Sequence, residues 1–77
     1  MSKYSQKTIE YFFDKYNVTD QKQKEKILLH ITDTIYDYNM SVVSFEKSKD
    51  KYKQKQLAQE IDELEEKIKE IIDEAKK

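Results

Sequence analysis

Residues 57–75 read LAQEIDELEEKIKEIIDEA, and this stretch decides the fold class. Its apolar side chains recur at alternating steps of four and three: Leu57, Ile61, Leu64, Ile68, Ile71 and Ala75. Such heptad spacing puts them on one side of an α-helix, which a second helix must cover. Ile72 widens this side toward the packing of a helical bundle. We call Leu57, Ile61, Leu64, Ile68, Ile71 and Ile72 the C-terminal seam, and we expect it to contact a partner or a second copy of the chain.

The composition favours helices throughout. The 77-residue chain contains neither glycine nor proline, the two strongest helix breakers. With 36% hydrophobic and 40% charged residues, it can build one small core. We therefore predict a single all-α domain over residues 1–77.

Several classes of protein are disfavoured by the same composition. Cysteine is absent, which excludes a disulfide framework. No apolar run reaches the roughly 18 residues of a membrane span, and the N-terminus lacks the apolar stretch of a signal peptide. We expect a soluble, cytoplasmic protein.

The first helix is predicted over about residues 5–16. Its apolar side chains lie at i, i+3, i+4 and i+7 on one face: Ile9, Phe12, Phe13 and Tyr16. Ser5 is the expected N-cap, and Asn17, which tolerates the left-handed conformation, is the expected end. Thr19 or Asp20 then caps the next helix.

The second helix is predicted over about residues 20–38, with an apolar stripe of Ile27, Leu28, Ile31, Ile35 and Tyr38. The spacing continues through Val42 and Phe45. Residues 39–41 nevertheless read Asn-Met-Ser, and Asn and Ser compete for backbone hydrogen bonds, so we predict a turn there. The third helix then covers about residues 41–76. A continuous rod from Gln21 to the C-terminus is the alternative.

These bounds predict two short helices and one long C-terminal helix, arranged as an open three-helix bundle or helical hairpin. At 1.5 Å per residue the third helix spans about 50 Å and the second about 27 Å. Part of the seam should therefore overhang. Self-association into a homodimer, ordinary packing within the chain and docking of a foreign helix are the three uses open to it.

The charges near the seam indicate the orientation of such a dimer. Isoleucine at a positions with leucine at d positions favours a parallel pair, but Glu60 would then face Glu65 of the mate. Residues 47–55 hold five lysines, and eight acidic residues lie between Glu60 and Glu74. An antiparallel pair sets these opposite charges against each other.

The lysine-rich stretch offers an alternative function. Lys47, Lys51 and Lys55 would align at i, i+4 and i+8 on one helix, with Tyr52 among them. Cations interleaved with an aromatic side chain are typical of single-strand binders. A net charge of −1 and the complete absence of arginine favour a solvated face or an acidic protein partner instead.

No catalytic motif is present. Without glycine or cysteine, the chain has no phosphate-binding loop and no thiol nucleophile. His30, Asp33 and Asp37 could share a helix face, but they lack the further histidine or cysteine typical of a transition-metal site. We predict no metal, no cofactor and no small-molecule substrate.

Two of the six tyrosines, Tyr11 and Tyr36, fall off the predicted apolar faces, and exposed tyrosines are favoured at protein interfaces. Together these patterns predict a non-enzymatic helical protein that binds a larger macromolecule. A regulator or inhibitor encoded by a phage or mobile element fits this size and composition. The alternative is a nucleic-acid-associated regulator that uses the lysine-rich stretch.

Overall fold

The computed structural model describes residues 3–77, with side chains from Ser5 onward. The chain forms three helices, α1 (Lys3–Lys15), α2 (Gln21–Lys47) and α3 (Lys51–Lys76). No strand occurs in this part of the chain, which confirms the all-α prediction. None of the described helices has the length and hydropathy needed to cross a membrane.

The helix lengths differ from the prediction. α1 has 13 residues, whereas α2 has 27 and α3 has 26, so the molecule has one short helix and two long ones. α2 and α3 form an antiparallel hairpin and pack along each other. The overhang expected from unequal helices was therefore wrong, because each long helix matches the other.

The turn predicted at residues 39–41 was also wrong. α2 continues through these residues because Asn39 does not compete for its own backbone: its Oδ1 accepts a hydrogen bond from the Thr8 hydroxyl at 2.8 Å. Ser41 is buried, and Val42 and Phe45 extend the apolar stripe. Tertiary contacts thus outweigh the weak local preferences of this segment.

The chain reverses instead at residues 48–50, which also excludes the continuous rod. The extended Ser48 still donates its N–H to the Ser44 carbonyl oxygen at 3.0 Å. Asp50 caps α3 by accepting the Tyr52 N–H at 2.9 Å. The side-chain amide of Gln54 donates to the Ser48 carbonyl oxygen at 2.7 Å, which fixes the turn to α3.

The end of α1 agrees with the prediction at Asn17. This residue is left-handed, with φ of 56°, and the next N–H, of Val18, donates to the Phe13 carbonyl oxygen at 2.8 Å. This hydrogen bond is that of a Schellman motif, and the buried Val18 side chain completes it.

The two predicted N-caps have different outcomes. Ser5 lies inside α1, so its prediction as a cap was wrong. Of the two candidates for α2, Asp20 is the cap, since its carboxylate accepts the Lys22 N–H at 3.0 Å.

α1 crosses α2 between Leu28 and Tyr38. The two clefts on either flank of α1 show this. One flank lies beside the N-terminal part of α2, in a cleft lined by Gln6, Ile9, Glu10, Phe13, Gln21, Lys24 and Leu28. The other flank lies farther along α2, in a cleft lined by Lys7, Thr8, Tyr11, Tyr38, Asn39 and Val42.

The core lies beneath this crossing. The large side chains with no accessible surface are Phe12, Ile27, Ile31, Ile35, Ile68 and Ile72. Tyr16 and Tyr38 pack against this core, as their positions in the predicted stripes indicate. None of the core residues belongs to residues 43–60, where α2 approaches the turn and α3 leaves it. We call this part the open end, and we call the part beneath α1 the closed end.

Candidate functional site

The C-terminal seam is divided between the core and the surface. Ile68 and Ile72 have no accessible surface, so they belong to the core of the chain itself. The other members, Leu57, Ile61, Leu64 and Ile71, are half-buried. This second group is the part of the seam that another molecule can reach.

Beside the seam, α2 and α3 border a cleft of about 520 Å³. It is lined by Lys26, His30, Lys67, Glu70, Ile71, Glu74 and Ala75. The exposed His30 lies here, whereas Asp33 and Asp37 do not line the cleft. No group of three or more His, Cys, Asp or Glu side chains in the described residues could hold a metal ion.

An ion pair anchors α1 to α3. Lys15 Nζ donates to Glu65 Oε1 at 3.2 Å, and this hydrogen bond raises the pKa of Lys15. The ammonium also lies 5.9 Å from the ring centre of Tyr11 and 5.6 Å from that of Tyr16. Lys76 donates to the Tyr16 carbonyl oxygen and fixes the same end of α1.

The solvent-facing side of α2 carries three large exposed side chains, which we call the outer stripe. Leu29 is 80% exposed, Tyr36 59% and Met40 48%. Steps of seven and four residues place them on one face of the helix. Sequence reasoning found Tyr36 but missed Leu29 and Met40, although the 29-36-40 spacing was readable as a second, weaker stripe.

The other predicted contact tyrosine, Tyr11, is 53% exposed and lies on the flank of α1 that faces Val42. It lines a cleft together with Asn39, a residue that the sequence analysis assigned only to a turn. Tyr11 and Tyr36 are thus accessible, as their positions off the apolar faces predict. Their role in contacts stays a prediction.

The lysine-rich stretch does not lie on one helix. Lys47 ends α2, the turn at residues 48–50 follows, and Lys51 begins α3, so the predicted row of Lys47, Lys51 and Lys55 on a single helix was wrong. All five lysines are exposed, and Tyr52 is 71% exposed. Near the turn, Ser44, Lys47, Ser48, Lys53 and Leu57 line a cleft of about 340 Å³.

Comparison of the chain with models of protein families, with curated proteins and with solved structures finds no match.

Proposed function

We propose that this chain is a non-enzymatic protein-binding protein, a regulator or inhibitor that docks on a larger protein through the outer stripe. The exposure of Leu29, Tyr36 and Met40 on one face of α2 is the observation that supports it. Single exposed apolar side chains are common, but three large ones aligned along one helix are typical of a contact surface. Tyrosine and methionine are both enriched at interfaces.

The geometry of the stripe favours a helical partner. Leu29 to Met40 covers 12 positions of α2, or about 17 Å of helix axis. An amphipathic helix of about three turns can lay its own apolar stripe along this length. Moving Leu29, the most exposed of the three, from water into such an interface contributes on the order of 1.5–3 kcal/mol.

The test compares two doubly substituted chains. Leu29→Glu with Met40→Glu changes the outer stripe, whereas Gln56→Glu with Gln59→Glu adds the same charge to exposed positions of α3. Each chain carries a photo-crosslinker at Tyr36 and is expressed in the cells that produce the natural protein. We expect a distinct cross-linked protein with the wild type and the α3 control, and its loss with the stripe variant.

Two results would contradict this proposal: equal crosslinking by the two variants, or no cross-linked protein with the wild type. Circular dichroism shows that each variant is folded before the comparison is made. Because both substituted stripe residues are exposed, we expect their melting temperatures to stay close to that of the wild type.

We also propose homodimerisation through the accessible part of the seam. Leu57, Leu64 and Ile71 are spaced by seven residues, and an antiparallel pair of α3 helices brings the basic start of one helix to the acidic part of the other. Sedimentation of Leu57→Asp with Leu64→Asp should give a folded monomer. A wild type that is monomeric at every concentration measured removes this part of the proposal.

A nucleic-acid-associated role is the second candidate. Five exposed lysines and the exposed ring of Tyr52 gather around one turn, and none of these lysines has an ion-pair partner among the described residues. If this surface binds single strands, affinity falls steeply with added salt and weakens as the lysines are replaced by glutamine. An affinity that is unchanged across that glutamine series rules it out.

A further inference from the structure

The flank of α1 that faces the open end forms a cleft of about 300 Å³ with α2. Its lining residues are Lys7, Thr8, Tyr11, Tyr38, Asn39 and Val42. Lys7 is the one charged residue in this set, and no carboxylate lines the cleft. Tyr11 and Val42 supply apolar surface beside the cation.

Asn39 gives the cleft an unused hydrogen-bond donor. Its side chain is only 7% exposed, and its Oδ1 accepts from the Thr8 hydroxyl at 2.8 Å. Its Nδ2 is buried and has no hydrogen-bond partner among the described residues. Buried polar groups are nearly always paired in folded proteins, so an unpaired amide that lines a cleft calls for a ligand with an acceptor atom.

We propose that this cleft binds the carboxylate of a glutamate or aspartate side chain carried by the protein that docks on the outer stripe. The Asn39 amide donates to a carboxylate oxygen, the Lys7 ammonium supplies the opposite charge, and Tyr11 contacts the methylene carbons. A carboxylate fits better than a neutral carbonyl because its negative charge pairs with the Lys7 ammonium. Hydrogen bonds to an ionised acceptor are also stronger than those to a neutral one.

The position of Asn39 connects this cleft to the outer stripe, and the inference rests on the proposed function to that extent. Asn39 follows Tyr36 by three residues, so the two side chains are neighbours on the surface of α2 and Asn39 borders the stripe on the side of α1. A partner helix laid along the stripe can therefore present an acidic residue at the edge of its apolar face to the cleft. The stripe supplies apolar area, and the cleft selects an acidic partner.

The test uses a small probe and needs no knowledge of the target. The ¹⁵N-labelled chain is titrated with N-acetyl-glutamate α-methylamide, whose single carboxylate is on the side chain, and, at the same ionic strength, with N-acetyl-glutamine α-methylamide, which has no carboxylate. The side-chain NH₂ resonances of Asn39 report directly on its donor. We expect saturable shifts with the glutamate probe, with a Kd of about millimolar order for so small a ligand, and at least ~10-fold weaker binding of the glutamine probe.

Matched variants assign the effect to the cleft. Lys7→Gln removes the cation, and Lys22→Gln removes an exposed lysine at the start of α2. Asn39→Asp keeps the size and the acceptor for Thr8 but replaces the donor with a negative charge. We expect several-fold weaker binding with Lys7→Gln, no binding with Asn39→Asp and unchanged binding with Lys22→Gln. If Asn39→Asp fails to fold, the two lysine variants decide the matter.

The inference is overturned if the two probes shift the Asn39 resonances equally, if the shifts grow linearly without saturation, or if the two lysine variants lose affinity equally. These failures can be told apart from failure of the proposed function. If the glutamate probe binds but crosslinking of the partner does not change with the Leu29 and Met40 substitutions, only the docking proposal fails. If crosslinking is lost with the stripe variant but the glutamate probe does not bind, only the carboxylate site fails.

Discussion

The closed end and the open end of this molecule are built from the same two helices but are stabilised differently. At the closed end, α1 lies across the hairpin, and isoleucines of α2 and α3 lose all their accessible surface. At the open end, α2 and α3 have only each other, and Val43, Phe45 and Leu57 stay half-buried. At the closed end, α1 supplies the third helix, and its Ile9, Phe12 and Phe13 complete the core together with these isoleucines.

The comparison also separates the roles of the two ends. The closed end holds the residues that stabilise the fold, together with an ion pair and a hydrogen bond that attach α1. The open end carries exposed lysines, an exposed tyrosine and apolar surface that a partner can still cover. The outer stripe begins at the closed end and runs toward the open end, so it offers a partner access to both.

The largest expected difference between the ends comes from removing one apolar side chain from each. Ile72→Ala deletes a fully buried side chain at the closed end and should lower the free energy of unfolding by about 2–5 kcal/mol. Leu57→Ala deletes a half-buried one at the open end and should cost about 1 kcal/mol, because less apolar surface returns to water. Urea denaturation of both variants measures the difference. Equal costs would contradict the division into two ends.

The attachment of α1 is the next test. Thr8→Val keeps the shape of the side chain but removes the hydroxyl that donates to Asn39 Oδ1, which leaves the buried amide without this partner. We expect a loss of about 1–3 kcal/mol by the same denaturation experiment. Thr32→Val is the control, since its hydroxyl bonds the Leu28 carbonyl oxygen on the exposed side of α2. If Thr32→Val is as destabilising as Thr8→Val, the Thr8–Asn39 bond does not hold α1.

Each end of the molecule has an aspartate N-cap, Asp20 at the closed end and Asp50 at the open end, so the same substitution can be made at both. Asp20→Ala and Asp50→Ala each remove an N-cap hydrogen bond, at a typical cost of about 0.5–2 kcal/mol. At the open end we expect the loss to be local: hydrogen exchange should speed up mainly between residues 44 and 57. At the closed end exchange should speed up across the whole core. Identical exchange maps for the two variants would show that the hairpin opens as one unit.

The ion pair between Lys15 and Glu65 should have the smallest effect, because both side chains are solvent-accessible. The pKa of Lys15 is raised above 10.5 by its hydrogen bond to Glu65, so its contribution to stability is complete below about pH 10.5 and is lost as the pH rises through the higher folded-state pKa. The difference in melting temperature between the wild type and Lys15→Gln should therefore disappear at strongly alkaline pH. A difference that persists there assigns the effect to packing on Tyr11 and Tyr16.

The sequence predicted the parts of this fold that depend on periodicity. The apolar stripes of α1 and α2 and the left-handed Asn17 follow from spacing and local backbone chemistry, which also narrowed the cap of α2 to Thr19 or Asp20. The turn was misplaced because Asn39 and Ser41 have poor helix propensity, and tertiary contacts such as the hydrogen bond from Thr8 to Asn39 outweigh that preference. The true turn had its own signal, a serine and a capping aspartate at positions 48 and 50.

The candidate surfaces were harder to predict. Tyr36 was recognised because tyrosine is conspicuous, whereas Leu29 was assigned no role because its neighbours Ile27 and Leu28 already supply the apolar face of α2. The cleft at Asn39 joins side chains 31 positions apart, and the ion pair at Lys15 joins side chains 50 apart. Pairings at such distances depend on the angle at which α1 crosses the hairpin, which no local pattern encodes.

The crossing of α1 has a consequence for the order of folding. α2 and α3 are joined by a three-residue turn, so their contacts can form progressively from the turn outward, with little loss of loop entropy at each step. The anchors of α1 on α3 join residues 50 and 60 positions apart, and they can form only once the hairpin has brought their sites together. These two anchors should therefore be the last contacts of α1 to form, and because α1 packs on α2 less extensively than α3 does, α1 should detach first. Its detachment uncovers Phe12 and the isoleucines beneath it. This detached state is therefore the one in which the protein is most accessible to proteases and to chaperones.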